Sequence, residues 1–137
     1  MFSPATQATF VNAAAFPAVP GMPRLVRRAQ QQGYTVFLLT GRAEAQRSGT
    51  ATNLTKVGFP AVPDSRLYLK DLTKPYITCD TTGDKVCSTI EVKSQTRRHI
   101  ESQGYEIAAN FGDQFSDLKG GYADRTVKLP NPMYYLP

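Results

Sequence analysis

Cysteine is scarce in this chain. Its 137 residues include only Cys79 and Cys87, and two cysteines alone make no structural zinc centre, which needs four ligands. Long apolar runs are lacking too. No stretch approaches the ~18 residues that a membrane span requires, so no membrane partner is expected. No basic segment leading into an apolar one marks the start, so no signal peptide is visible. Concentrated positive charge is also missing, although net charge is +5 and the pI is near 9.4. The tight basic pairs are Arg27-Arg28 and Arg97-Arg98. Both fall in helix-like segments and read as solvated helix faces, so no nucleic-acid partner is expected.

What is present fits one packed domain over residues 1–137. Hydrophobic residues make up 41% and charged residues 20%, a balance that supports a core and argues against disorder. Between the cysteines lies Asp80-Thr81-Thr82-Gly83-Asp84-Lys85-Val86, a polar turn of hairpin character. A small β-hairpin is therefore expected near 76–90. Facing hairpin positions bring Cβ atoms close enough for a Cys79–Cys87 disulfide, with two reduced thiols as the alternative. A disulfide would favour an oxidising compartment.

Glycine and proline punctuate the rest. Ser3 and Pro4 suit a helix start, and the Ala-rich residues after them favour helix until Pro17. Gly21-Met22-Pro23 opens a second helix with Leu25, Val26 and Ala29 as its apolar stripe and Gly33 as its stop. Tyr34-Thr35-Val36-Phe37-Leu38-Leu39 is a continuous apolar run, the pattern of a strand covered on both faces in a parallel sheet. It ends at Thr40-Gly41-Arg42, and a third helix follows over about 43–57. Further strands are expected at 66–69, 105–111 and 125–129. Ser88 with Glu91 three residues on is a capping-box pattern announcing a helix to about Gln103. Gln32-Gly33-Tyr34, Val57-Gly58-Phe59 and Gln103-Gly104-Tyr105 repeat one punctuation, helix end, glycine, aromatic, then a strand run. Repeated α-then-β units predict an α/β fold with a parallel sheet.

In such sheets, ligands bind beyond the carboxyl ends of the strands. Thr40 closes the first strand. Its hydroxyl, with the backbone N–H groups of Gly41 and Arg42 at a helix start, can cradle an anion. Lys93 lies near the start of the fourth helix, where a cation opposes the macrodipole and wants another reason, such as a bound phosphate. Asn110-Phe111-Gly112-Asp113-Gln114-Phe115-Ser116-Asp117-Leu118 follows an apolar run and offers two carboxylates, Asp113 and Asp117, to a hard cation such as Mg²⁺. Taken alone, this stretch equally fits a strand-to-helix turn in which Asp113 is only a cap.

These segments together resemble the haloacid dehalogenase (HAD) superfamily, in its acid phosphatase branch of subfamily IIIB, the class B and plant vegetative storage protein type. The resemblance rests on residues 15–21, Phe37 to Arg42, Lys93-Ser94-Gln95-Thr96-Arg97, Asn110 to Leu118, and 123–132. It implies a HAD-like, Rossmann-type three-layer α/β fold and Mg²⁺-dependent hydrolysis of phosphomonoesters through an aspartyl-phosphate. Thr40, with Gly41 and Arg42, would hold the phosphoryl group. Lys93 would neutralise its charge. Asp113 would bind Mg²⁺, with Asp117 beside it. The branch is usually secreted.

The family's first motif, Asp-x-Asp-x-Thr, is absent. The aspartates are residues 64, 71, 80, 84, 113, 117 and 124, and none has a second Asp two residues later. The chain is therefore expected to be N-terminally truncated relative to the family, to lack the nucleophile and the central strand that carries it, and to show no catalysis. Loss of a central strand exposes sheet edges, which predicts either closure of the two orphaned strands on each other or self-association, such as a domain-swapped dimer.

Overall fold

The computed structural model describes residues 4–79, 82 and 85–131. The chain divides into two compact units, Met1–Lys70 and Asp71–Pro137.

The first unit runs α1 (Pro4–Asn12), α2 (Met22–Gln31), β1 (Leu38–Ala43), α3 (Arg47–Lys56) and β2 (Leu67–Lys70), with short 3-10 turns at Glu44–Gln46 and Asp64–Arg66. Ser3, the expected cap of α1, lies outside the described residues. Gly21 caps the start of α2, with Pro23 in its first turn. Val26 is buried at 7% exposure while Leu25, expected on the same stripe, is 41% exposed. The repeated glycines do stop helices: Gly33, Gly58 and Gly104 have φ of 89°, 89° and 92°. The residue after each of the first two closes the last turn, Tyr34 N–H on Ala29 O and Phe59 N–H on Leu54 O, both 3.0 Å.

β1 and β2 are parallel, pairing Leu38 with Leu67 and Leu39 with Tyr68. Leu67 and Leu69 are buried with Val11, Ala14 and Val26 to form this unit's core. The first strand starts at Leu38, not at Tyr34, because β2 is four residues long and offers no ladder partner earlier. Arg47 ties α3 to the start of β2. It bonds the Glu44 carboxylate through Nε and Nη2 and donates from Nη2 to Leu67 O at 2.9 Å. The hydrogen bonds that Arg47 donates to Glu44 raise its pKa.

The second unit runs α4 (Thr89–Ser102), β3 (Asn110–Gly112), α5 (Phe115–Leu118) and β4 (Thr126–Lys128). The capping box forms in both directions: Glu91 N donates to Ser88 Oγ at 3.2 Å and Ser88 N donates to Glu91 Oε2 at 2.8 Å. β3 and β4 are parallel, pairing Asn110 with Thr126, Phe111 with Val127 and Gly112 with Lys128.

The turn of the hairpin expected near 76–90 lies largely outside the described residues. The described residues of that stretch contain no strand, while residues 80, 81, 83 and 84 lie outside the described set. Side chains of α4 take the place of a ladder there. Thr78 N donates to Gln95 Oε1 at 2.6 Å, and the Tyr76 ring stacks on His99 at 4.0 Å. Cys79 and Cys87 are joined through sulfur with Cα atoms 5.3 Å apart.

Both sheets have two strands, in the orders β1-β2 and β3-β4. The apolar strands are not covered on both faces. Leu38 and Leu39 are half-buried, and Phe111 and Val127 are 41% and 38% exposed. Among the described residues no helix is long and apolar enough to cross a membrane.

Candidate functional site

In the first unit Thr40 remains inside β1, and the helix that should follow it is delayed until after Ala43. Arg42 N–H donates to the Thr40 hydroxyl at 3.3 Å, so one of the N–H groups expected to cradle an anion is already engaged. The Arg42 guanidinium lies 4.9 Å from the Phe16 ring centroid and donates to Thr50 Oγ1 at 3.3 Å. Phe16 itself is fixed by Asn53, which is 6% exposed. Asn53 accepts from Phe16 N at 2.9 Å and donates to Phe16 O at 2.8 Å. This bidentate clamp holds the loop before α2 beside Arg42.

The other predicted residues, Lys93, Asp113 and Asp117, belong to the second unit. α4 projects Lys93 and Arg97 from one face, four residues apart. Lys93 Nζ pairs with Asp117 Oδ1, and their side chains are 12% and 11% exposed. The other carboxylate oxygen accepts from Gln114 N at 3.0 Å. Both oxygens of Asp117 thus have protein donors, and the pair is nearly dry, where each charge needs the other.

Arg97 grips the backbone around this carboxylate. It is 2% exposed and donates to Gly121 O, Asp117 O and Lys119 O at 2.8, 2.9 and 2.5 Å. Burial lowers its pKa, against the opposing pull of Asp117 and Glu101. The expectation of a solvated face at Arg97-Arg98 holds for Arg98 alone, which is exposed. Arg97 is instead the clasp of the site. Its spacing from Lys93 was the signal that could have revealed it.

β3 and α5 position the carboxylates. Asn110 Nδ2 donates to Asp117 O at 2.8 Å. Gly112 is required by close approach: a Cβ there would sit 2.4 Å from Asp117 Cβ. Asp113 is half-buried. Its Oδ2 accepts from Asn131 Nδ2 and, at 3.4 Å, from Gln114 Nε2. Its backbone oxygen accepts from Lys128 Nζ at 2.8 Å. Asn131 and Lys128 carry no recognisable sequence signal for this role. Between the aspartates, Ser116 is 1% exposed, and its hydroxyl has no hydrogen-bond partner among the described residues.

The chain that builds this turn matches a known protein family. The family model for HAD superfamily, subfamily IIIB (acid phosphatase), covers residues 1–137. This chain belongs to that family. Acid phosphatase 1 of Solanum lycopersicum is 37% identical over 121 residues, which is 88% of this chain and 43% of the relative. The stem 28 kDa glycoprotein of Glycine max is 33% identical over 93% of this chain and 46% of its own length. Vegetative storage protein 2 of Arabidopsis thaliana is 31% identical over 88% of this chain and 42% of its own. The HAD chain thus spans about half the length of the curated relatives it matches. Among solved structures, the class C acid phosphatase from Bacillus anthracis matches with a TM-score of 0.72 at 22% identity, over 98% of this chain and 57% of that one. At that identity the likeness shows a shared HAD-like α/β fold.

Proposed function

We propose that this HAD-family chain carries phosphate- and cation-binding groups of an acid phosphatase, and that by itself it hydrolyses phosphomonoesters only at background. The supporting observation is the nearly dry Lys93–Asp117 pair, with the Arg97 clasp behind it. A rigidly held ammonium in a low-dielectric setting attracts a phosphoryl group without having to reorganise. Asp117 is the positioning group for that ammonium. Asp113 is the better direct ligand for a cation, because Asp117 has both oxygens engaged by Lys93 and Gln114. A hard oxygen donor such as Asp113 fits Mg²⁺. When bound, Mg²⁺ would supply charge neutralisation to the phosphoryl group. Thr40, Gly41 and Arg42 are proposed, within the first unit taken by itself, as phosphate-contacting groups. The oxidised Cys79–Cys87 pair supports folding in an oxidising compartment.

None of the seven aspartates stands in an Asp-x-Asp pair, so no residue is assigned as nucleophile. With p-nitrophenyl phosphate and Mg²⁺, turnover should match the buffer blank. Measurable turnover abolished by Asp113→Asn would overturn this. Inorganic phosphate should still perturb the Lys93 and Gly112–Asp117 amide resonances, and Lys93→Met should remove that response.

A second reading, self-association through sheet edges, is favoured by the exposed Phe111 and Val127 on a sheet of two strands. Sedimentation should show a dimer, and a strictly monomeric species would sink the idea.

A further inference from the structure

We propose that Cys79, Cys87 and Glu91 form a redox-gated site for a soft divalent cation of the Zn²⁺ type, closed when the cysteines are oxidised and competent when they are reduced. One sulfur from each cysteine and one carboxylate oxygen of Glu91 all lie within 4.8 Å of one another. The carboxylate is not there by chance of a flexible side chain. Its Oε2 is held by Ser88 N–H at 2.8 Å, so the capping box fixes Glu91 over the first turn of α4. Cys87 immediately precedes the cap residue Ser88 and is 5% exposed. The positive end of a helix favours a thiolate at such a position.

The gate follows from charge and geometry. As a disulfide the two sulfurs carry no charge and no ligand capacity, and only Glu91 is anionic. Reduction by a dithiol breaks the S–S bond: the reductant becomes the new disulfide, and two thiols result. Binding a divalent cation then releases the two thiol protons and leaves two thiolates and one carboxylate on the ion. Without a cation, three converging negative charges would repel one another. Thiolate and carboxylate donors suit a tetrahedral ion, with the fourth position left to water. Zn–S bonds of about 2.3 Å place two sulfurs about 3.8 Å apart. Cα atoms 5.3 Å apart reach that separation by side-chain rotation. The site is separate from Asp113, whose oxygen donors suit a harder ion.

The full chain, oxidised or reduced with a removable dithiol, is titrated with Cd²⁺ and Zn²⁺. The thiolate-to-cadmium charge-transfer absorbance reports the sulfurs, and chelator competition gives Zn²⁺ affinity. The reduced chain should bind one equivalent with the charge-transfer band, and the oxidised chain none. Cys79→Ser should lose the stoichiometric Zn²⁺ site. Glu91→Gln keeps an acceptor for Ser88 N–H, so α4 should start normally. It should retain the band while weakening Zn²⁺ by at least about tenfold. Absence of a stoichiometric band in the reduced chain, or equal Zn²⁺ affinity in Glu91→Gln and the unsubstituted chain, would overturn the proposal.

Discussion

Gly112→Ala tests how the carboxylate turn is built. A Cβ at position 112 would lie 2.4 Å from Asp117 Cβ and 3.0 Å from Asp117 Oδ2. Carbon atoms rest at about 3.5–4.0 Å, so α5 must retreat by more than about 1 Å. The opposing atom is a Cβ, fixed to backbone, so no rotamer change relieves the clash. The backbone at Gly112 is not left-handed, which leaves crowding as the whole cause. Overpacking of this kind costs about 1–3 kcal/mol. The retreat also stretches the Gln114 N–Asp117 Oδ2 bond of 3.0 Å and the Arg97–Asp117 O bond of 2.9 Å. Losing one bond to a charged group adds about 1.5–3 kcal/mol. The expected total is about 2.5–6 kcal/mol. With a urea slope of about 2 kcal/mol/M, the midpoint should fall by roughly 2 M, read by helix circular dichroism. Gly41→Ala is the control, because a Cβ there meets nothing within 4 Å. Its effect should stay within about 0.5 kcal/mol. Equal midpoints for the two variants would refute the close-approach argument.

Other substitutions separate the parts of the site. Arg97→Lys keeps the charge but cannot serve Asp117 O, Lys119 O and Gly121 O together. It should destabilise the chain by about 3 kcal/mol in the same urea titration, and a change under about 1 kcal/mol would show the clasp to be idle. Ser116→Ala removes a buried hydroxyl with no partner among the described residues, so Tm should hold or rise. A fall worth more than about 1 kcal/mol would reveal a partner. The Asp71 carboxylate accepts from Thr73 Oγ1 at 2.6 Å and Thr73 N at 3.0 Å. These bonds, with smaller help from Lys74, hold its pKa below the ordinary 3.8. A lowered folded value means a stabilising contribution present above the unfolded value and lost as pH falls through the folded one. Thr73→Val should therefore raise the Asp71 titration midpoint seen by carboxyl NMR, and an unchanged midpoint would contradict the assigned cause.

Local signals read well from the sequence because local chemistry decides them. Ser88 with Glu91, and glycine after each of three helices, needed only neighbouring residues to act, and all formed. Lys93 and Asp117 were legible as charged residues beside expected strand and helix ends, and the structure pairs them. Arg97 was misread because charge pairs on helices usually face water. Its burial depends on three carbonyls from residues 117, 119 and 121, which come near only when the chain has folded. The described residues of 76–90 hold no strand for a related reason. The turn residues suit a hairpin, but Gln95 and His99 on α4 offer partners to Thr78 and Tyr76 instead.

Strand ends carry the larger lesson. The run at 34–39 starts four residues before β1, and the strand expected at 105–111 is longer than the three residues of β3. An apolar pattern records how much cover a strand is suited to, whereas a ladder forms only where a partner lies alongside. β1 starts where β2 meets it at Leu67, and β3 is as long as β4. The surplus apolar length is then a measure of cover that two-stranded sheets do not supply. Tyr34 at 59% exposure and Phe111 at 41% lie in those same runs. If added strand or partner surface supplies that cover, amide exchange at 34–37 and 105–109 should slow selectively, while α4, capped by its own Ser88 and Glu91, should exchange at an unchanged rate. Uniform slowing across the chain would mean that general stability, not strand cover, is the missing quantity.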